Sequence, residues 1–156
     1  MTNKIWEMSA LEAHGLLKRK KISAKEILES SIERIEEVDG DLNALPEKCF
    51  DRARKLAVRI DKGLFPRTPT DLLGLPIAVK DYNDLSGVRT TYGSTIFRNN
   101  VPKESDRTIK ILERNGANPV AKSNVPEWAG GHTFNPVNGL TRNPWDVSKS
   151  AGGSSG

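Results

Sequence analysis

Lys80 closes a short apolar run, Pro76-Ile77-Ala78-Val79, and its chemistry depends on whether that run is buried. In a buried strand the ammonium must find a partner or give up its proton, because leaving water disfavours the charged form. A lysine without its proton is a competent general base. If the strand end reaches solvent instead, Lys80 pairs with Asp81 or Asp84 and its role is structural. Spacing alone leaves both readings open.

Ser154 and Ser155 raise a second possibility. They sit in Gly152-Gly153-Ser154-Ser155-Gly156, where adjacent backbone amides can face one concavity and hold an anion or an oxyanion. A serine becomes a nucleophile only beside a base, and composition alone describes a flexible Gly-Ser tail equally well. No Gly-Lys-Ser/Thr ending follows the glycines, so the Walker pattern is absent. His14 reads as a surface or packing residue of a helix, and His132, after Gly130-Gly131, as a residue able to line a pocket. Neither has a second histidine or a cysteine at ligand spacing, so the sequence offers no metal site. Of the hydrolytic arrangements, Ser-Lys is better motivated than Ser-His-Asp.

The elements that must position these residues start with three helices. Ser9-Ala10-Leu11-Glu12 is a capping-box pattern, and Leu11, Leu16 and Leu17 supply an apolar stripe for a helix running to about Lys20. Ser23-Ala24-Lys25-Glu26 repeats the pattern before Ile27, Leu28, Ile32, Ile35 and Val38, which predicts a helix ending near Gly40. A third helix is predicted over Glu47 to Lys62, with Phe50, Ala53, Leu56, Ala57 and Ile60 on one face and Gly63 as its stop. Phe65 to Asp71 is rich in proline and threonine, and the periodicity then changes. Leu75 to Lys80 suits a strand buried on both faces. Ser105 or Asp106 can cap a helix running to Asn115-Gly116, and Asn118 to Lys122 reads as a second strand, giving a right-handed parallel unit. Asn124 to Gly156 has little periodicity, the texture of a functional loop region.

These elements predict an α/β chain: a helical layer over 1–63, a strand-helix-strand core over 64–123 and an active-site loop region over 124–156, all in one domain. At 156 residues, with 36% hydrophobic and 28% charged, the chain is long and apolar enough to fold rather than stay disordered. The net charge of +4 is spread among alternating acids. Its densest run, Lys18-Arg19-Lys20-Lys21, closes a predicted helix, where cations oppose the helix dipole. No aromatic residues interleave with it to stack bases, which argues against nucleic acid. Cys49 is the only cysteine, so no intrachain disulfide forms and nothing points to an oxidising compartment. No stretch approaches the roughly 18 apolar residues that span a bilayer. The expectation is a soluble cytoplasmic protein with no membrane partner.

Five blocks, taken together, carry a resemblance. They are Gly74-Leu75-Pro76-Ile77-Ala78-Val79-Lys80-Asp81, Thr91-Tyr92-Gly93-Ser94, Lys122-Ser123-Asn124-Val125-Pro126-Glu127, Thr141-Arg142-Asn143-Pro144-Trp145-Asp146 and Gly152-Gly153-Ser154-Ser155-Gly156. In order and spacing they resemble the amidase signature family over nearly the whole chain. The resemblance implies hydrolysis of amide bonds by a Ser-cisSer-Lys mechanism. In it Lys80 is the base, Ser154 the bridging serine held by a cis peptide, and Ser155 a supporting hydroxyl. It further implies that Ala129-Gly130-Gly131 walls the acyl pocket, with a backbone carbonyl facing the nucleophile. Asn124 to Trp128 and Phe134-Asn135-Pro136 look like general amidases rather than the transamidating subunits that act on misacylated transfer RNA.

The same resemblance places the nucleophilic serine and the oxyanion-hole glycines beyond Ser154, outside these residues. The expectation is therefore an incomplete amidase signature fold, the first part of a mixed, mostly parallel sheet flanked by helices. Its two strands should have exposed edges, and the chain should be inactive alone and completed by a C-terminal polypeptide. A small amide is the implied substrate, and no cofactor is implied, since serine hydroxyls, a neutral lysine, backbone amides and water suffice. The alternative is a non-catalytic remnant, a binding or interaction protein on an amidase-like scaffold.

Overall fold

In the computed structural model, which describes residues 4–66, 68 and 71–156, both capping boxes close. The first residues of the Met1 to Leu11 segment, and Arg67, Pro69 and Thr70 of the proline- and threonine-rich stretch, lie outside the described residues. The Glu12 carboxylate accepts the Ser9 backbone N–H at 2.9 Å while Ser9 Oγ accepts the Glu12 N–H, and α1 runs Ala10–Lys18. The Ser23–Glu26 box opens α2, Ala24–Leu42. Asp61, at the end of the third helix (α3, Phe50–Asp61), adds two acceptors to the same helix start, taking the Ala24 and Lys25 amides at 2.8 and 3.0 Å. A carboxylate there satisfies orphan N–H groups and opposes the helix dipole.

The helix expectations need correction at three points. Leu11 is 81% exposed, and the buried stripe of α1 is Ala13 and Leu17; Leu11 lies about 200° around the helix from Ala13. The second helix passes Gly40 and stops at Leu42, where Asn43 takes the left-handed conformation (φ 54°) and donates its N–H to the Asp39 carbonyl. Asn tolerates that conformation and so supplies the stop that glycine was expected to give.

The third helix, α3, spans Phe50–Asp61 rather than starting at Glu47. Glu47–Lys48 form a short strand, β1, antiparallel to β3 (Asn118–Ser123), and the Cys49 N–H continues that pairing to the Val120 carbonyl. The sheet order is β1-β3-β2, with β2 (Pro76–Lys80) parallel to β3. The strand buried from Asn118 through Lys122 is therefore β3, while β2 is an edge strand in this chain and exposes Ala78. One of the two expected open edges, that of β3, is closed by β1. Pro119 sits in this central strand at a register shift between Ile77 and Ala78, where a residue without an N–H is tolerated.

Against β3 pack α2 and α3, through Leu28, Ile32, Ala53, Ala57, Val120 and Ala121. Each large aliphatic side chain buried here contributes roughly 1.5–3 kcal/mol. The connecting helix α4, Arg107–Arg114, brings Ile109 onto Val79, Leu85 and Val88. Asp106 precedes α4 but makes no side-chain cap; its carboxylate instead accepts the Asp84 N–H at 3.0 Å, tying the helix start to the loop after β2. Beyond β3, the segment that shows little periodicity contains two small hairpins: β4 (Phe134–Asn135) with β5 (Gly139–Leu140), and β6 (Arg142–Asn143) with β7 (Asp146–Ser150). Their strands are too short for alternation to show in sequence. Mixed helices around a partly parallel sheet match the predicted fold class.

Candidate active site

Alternation along β2 decides where Lys80 goes. Val79 turns into the cluster with Ile109, so its neighbour Lys80 projects to the opposite face of the sheet. There Lys80 Nζ meets Ser154 Oγ at 2.9 Å, a contact between residues 74 positions apart. Neither expected carboxylate partner is used. Asp81 faces Lys122 at 3.6 Å, and Asp84 accepts the Tyr92 hydroxyl at 2.5 Å. Among the described residues no carboxylate lies within ion-pair range of Lys80.

Ser154 reaches Lys80 because its loop is held from two sides. The Ala151 N–H donates to the Thr141 carbonyl at 3.0 Å, continuing from β7. Thr133 Oγ1 donates to the Gly153 carbonyl, and the His132 ring lies 3.3 Å from the Gly152 carbonyl. The anchor residues His132 and Thr133 directly follow Ala129-Gly130-Gly131, so the expected acyl-pocket wall runs beside the serine loop. Ala129 (φ 59°) and Trp128 (φ 55°) both hold left-handed backbone, an uncommon conformation for residues with a side chain. Trp128 stacks on Tyr92 with ring centroids 6.0 Å apart, and its N–H donates to the Tyr92 carbonyl. Glycine at 93 permits that approach: a Cβ there would stand 2.9 Å from the Pro126 carbonyl oxygen.

Behind the loop lies a buried amide network. Asn124 Nδ2 donates to Thr141 Oγ1 and the Gly139 carbonyl, and Asn135 Nδ2 to Asn124 Oδ1 and the Val125 carbonyl. All three side chains are buried and partnered, so the network fixes the loops instead of costing stability.

One feature of the expected site is absent. Every peptide bond among the described residues is trans, so the cis bond expected before Ser154 is not present. A non-proline cis bond costs about 3 kcal/mol and needs its surroundings to enforce it; Gly153 and Ser155 on either side of Ser154 are exposed. Ser155 makes no side-chain hydrogen bond among the described residues. The Gly152 N–H, one amide of the proposed concavity, is already taken by Ser150 Oγ at 3.0 Å.

The buried lysine is a different one. Lys122 on β3 is wholly buried, and its ammonium touches Thr90 Oγ1 at 2.9 Å, the Asn83 carbonyl and the Asp81 carboxylate. Burial pushes the Lys122 amine below the ordinary lysine range, opposed by the Asp81 and Asp84 charges. Burial likewise pushes Asp81 up, opposed by the Thr91 hydroxyl at 2.5 Å and the Lys122 charge. Tyr92 is held above the usual phenol range by burial and by Asp84. The sequence carries a signal for this lysine: Lys122 ends the run Pro119-Val120-Ala121 just as Lys80 ends its own.

Of the other singled-out residues, His14 is half-buried with Nε2 2.8 Å from the Asp71 carbonyl, a packing role. Among the described residues no group of three or more His, Cys, Asp or Glu side chains is placed to hold a metal, and no helix is long and apolar enough to cross a membrane.

The amidase family profile matches residues 26–156, everything from the first turn of α2 to Gly156. The chain belongs to the amidase family. Among its amidase-family relatives, a component of the glutamyl-tRNA(Gln) amidotransferase of Syntrophobacter fumaroxidans is 40% identical over 146 residues, covering 93% of this chain and 30% of the relative. A solved structure described as a vestigial protein complex revealing the origins of an s-triazine catabolic enzyme superposes with a TM-score of 0.86 at 34% identity, covering 95% of this chain and 33% of that one. A bacterial aryl acylamidase of the amidase signature family gives 0.84 at 30%, covering 95% and 31%. The chain thus spans about a third of the length of the amidases it matches. These relatives include both hydrolytic amidases and amidotransferase components.

Proposed function

We propose that these residues carry the base and the relay serine of a hydrolase acting on amide carbon–nitrogen bonds. The carrying observation is the 2.9 Å approach of Lys80 Nζ to Ser154 Oγ across 74 residues of chain. In this reading the nucleophilic serine is supplied by sequence outside these residues. It passes its proton to Ser154 Oγ as Ser154 passes its own to the Lys80 amine. The nucleophile adds to the amide carbonyl, the proton returns through Ser154 to the leaving nitrogen, and an amine departs from an acyl-enzyme that water then hydrolyses. The trans geometry at Ser154 changes how that serine is held and leaves its hydroxyl within reach of the base. Ala129-Gly130-Gly131, beside the serine loop, is the assigned wall of the acyl pocket, and a small amide the assigned substrate. Ser155, exposed and without a partner among the described residues, has at most a supporting part.

By itself the chain is expected to have no turnover. The test is hydrolysis of an aryl amide by the purified chain, alone and mixed with a polypeptide supplying the remaining two-thirds of an amidase relative. Activity only in the mixture supports the reading, and silence in both contradicts it. A second reading, an interaction protein on the same scaffold, is favoured by the open edge of β2 and by Trp145 and Phe134, 91% and 61% exposed on the hairpins. It predicts binding of the same polypeptide without hydrolysis.

A further inference from the structure

Lys122 takes no part in the chemistry just described, yet among the described residues it is the most completely enclosed charged side chain. Enclosing a lysine demands partners, and its partners are informative. Register pairs Lys122 with Val79, so its stem lies on the sheet face opposite Lys80 and runs to the C-terminal end of β2. There the ammonium ties three pieces of chain together: the Asn83 carbonyl, Thr90 Oγ1 and the Asp81 carboxylate.

Asp81 is the residue directly after Lys80, and every polar group of it is engaged. Its N–H donates to the Ser123 carbonyl at 3.0 Å and its carbonyl accepts the Tyr92 N–H at 3.1 Å. Its carboxylate accepts the Thr91 N–H and hydroxyl besides facing Lys122. Edge strands fray at their ends unless something holds them. Here the end of the edge strand β2 carries Lys80, and the hold on it centres on one buried cation.

We propose that Lys122 is a positioning residue for Lys80: by clasping Asp81 and the 83–91 loop from behind the sheet, its ammonium keeps the end of β2 in the register that presents Lys80 Nζ to Ser154. The inference rests on the reading of Lys80 and Ser154 as a functional pair, and its test needs no turnover. Lysines of the folded chain are acylated with limiting acetic anhydride across neutral to alkaline pH, and each site is quantified by mass spectrometry, with the partly exposed Lys110 as internal standard.

In Lys122→Met the Lys80 rate, relative to Lys110, should rise about fivefold and its pH profile should move, the size expected when one hydrogen bond of ordinary strength is lost. Thr90→Val, which removes a single partner of the ammonium and keeps the packing volume, should give a smaller rise in the same direction. It serves as the deciding variant if Lys122→Met does not fold. Lys122→Arg, which restores a cation, should recover part of the wild-type profile. Ser154→Ala separates the two claims. If it leaves the Lys80 rate unchanged, the pair itself is wrong. If it raises the rate while folded Lys122→Met and Thr90→Val do not, the pair stands and the positioning role is overturned.

Discussion

Replacing Lys122 with methionine keeps the aliphatic stem and removes the charge, leaving Asp81, only 1% exposed, with Thr91 as its remaining side-chain partner. At the observed 3.6 Å and an effective dielectric near 20, the lost attraction is about 5 kcal/mol. Part of that is recovered because the orphaned carboxyl can take up a proton, which burial already favours. The net loss expected for breaking a buried pair is about 3–5 kcal/mol, a large share of the roughly 5–15 kcal/mol that holds a domain together. Urea unfolding followed by far-ultraviolet circular dichroism measures it.

The pH dependence has a definite sign. With the cation gone, Asp81 is held further above its unfolded value of about 3.9. A raised carboxyl stabilises most below the unfolded value and loses that contribution as pH rises through the folded one. The deficit of Lys122→Met should therefore be smallest in acid and grow toward neutrality. Adding Asp81→Asn, which removes the orphaned charge, should recover part of the loss. A deficit under about 1 kcal/mol, the size of a surface pair, would refute the argument, as would a double variant less stable than the single.

Two other outcomes follow from the structure. Cys49 has its thiol against the Pro119 carbonyl at 3.3 Å, and burial pushes it up to about 11. At about pH 8 its iodoacetamide alkylation should be roughly a few hundredfold slower in the native chain than in urea, where an ordinary thiol near 8.5 applies, and should accelerate as pH climbs toward 11; comparable native and unfolded rates would contradict that upward push. Ser23→Ala should cost about 1 kcal/mol by removing the cap of α2. Glu26 in that box is held below the ordinary carboxyl range by the Ser23 N–H and hydroxyl, so the box stabilises above about pH 4 and fails as acid protonates Glu26. A Ser23→Ala deficit that does not shrink in acid would exclude the box as its source.

The helices are legible in the sequence because caps and periodicity are local. Ser9 and Ser23 each precede a glutamate by three residues, and both boxes form as spaced. What escapes is whatever depends on partners distant in sequence. Glu47-Lys48 reads as helix because its pairing partners, Ala121 and Lys122, lie far along the chain. Leu75 to Lys80 reads as the doubly buried strand because it is apolar, yet edge or centre is decided by topology, which puts the less apolar Asn118–Ser123 in the middle. At the site, Lys80 and Ser154 stand out by type and motif, and the structure brings their side chains together. Lys122 also ends an apolar run, but that position alone does not encode its burial, because a charged residue there normally escapes to solvent. Only the convergence of Asp81, Asn83 and Thr90 makes its burial tolerable, and no periodicity encodes it.

The central claim is that Lys80 and Ser154 act as one proton-transfer unit. Amide hydrolysis by the complemented chain should be measured for Lys80→Ala, Ser154→Ala and the double variant. The account predicts that each single change lowers the rate by more than about a thousandfold, and that the double is no worse than the weaker single, because members of a unit fail together. Wild-type-like hydrolysis in either single variant, or losses that multiply in the double, would contradict it.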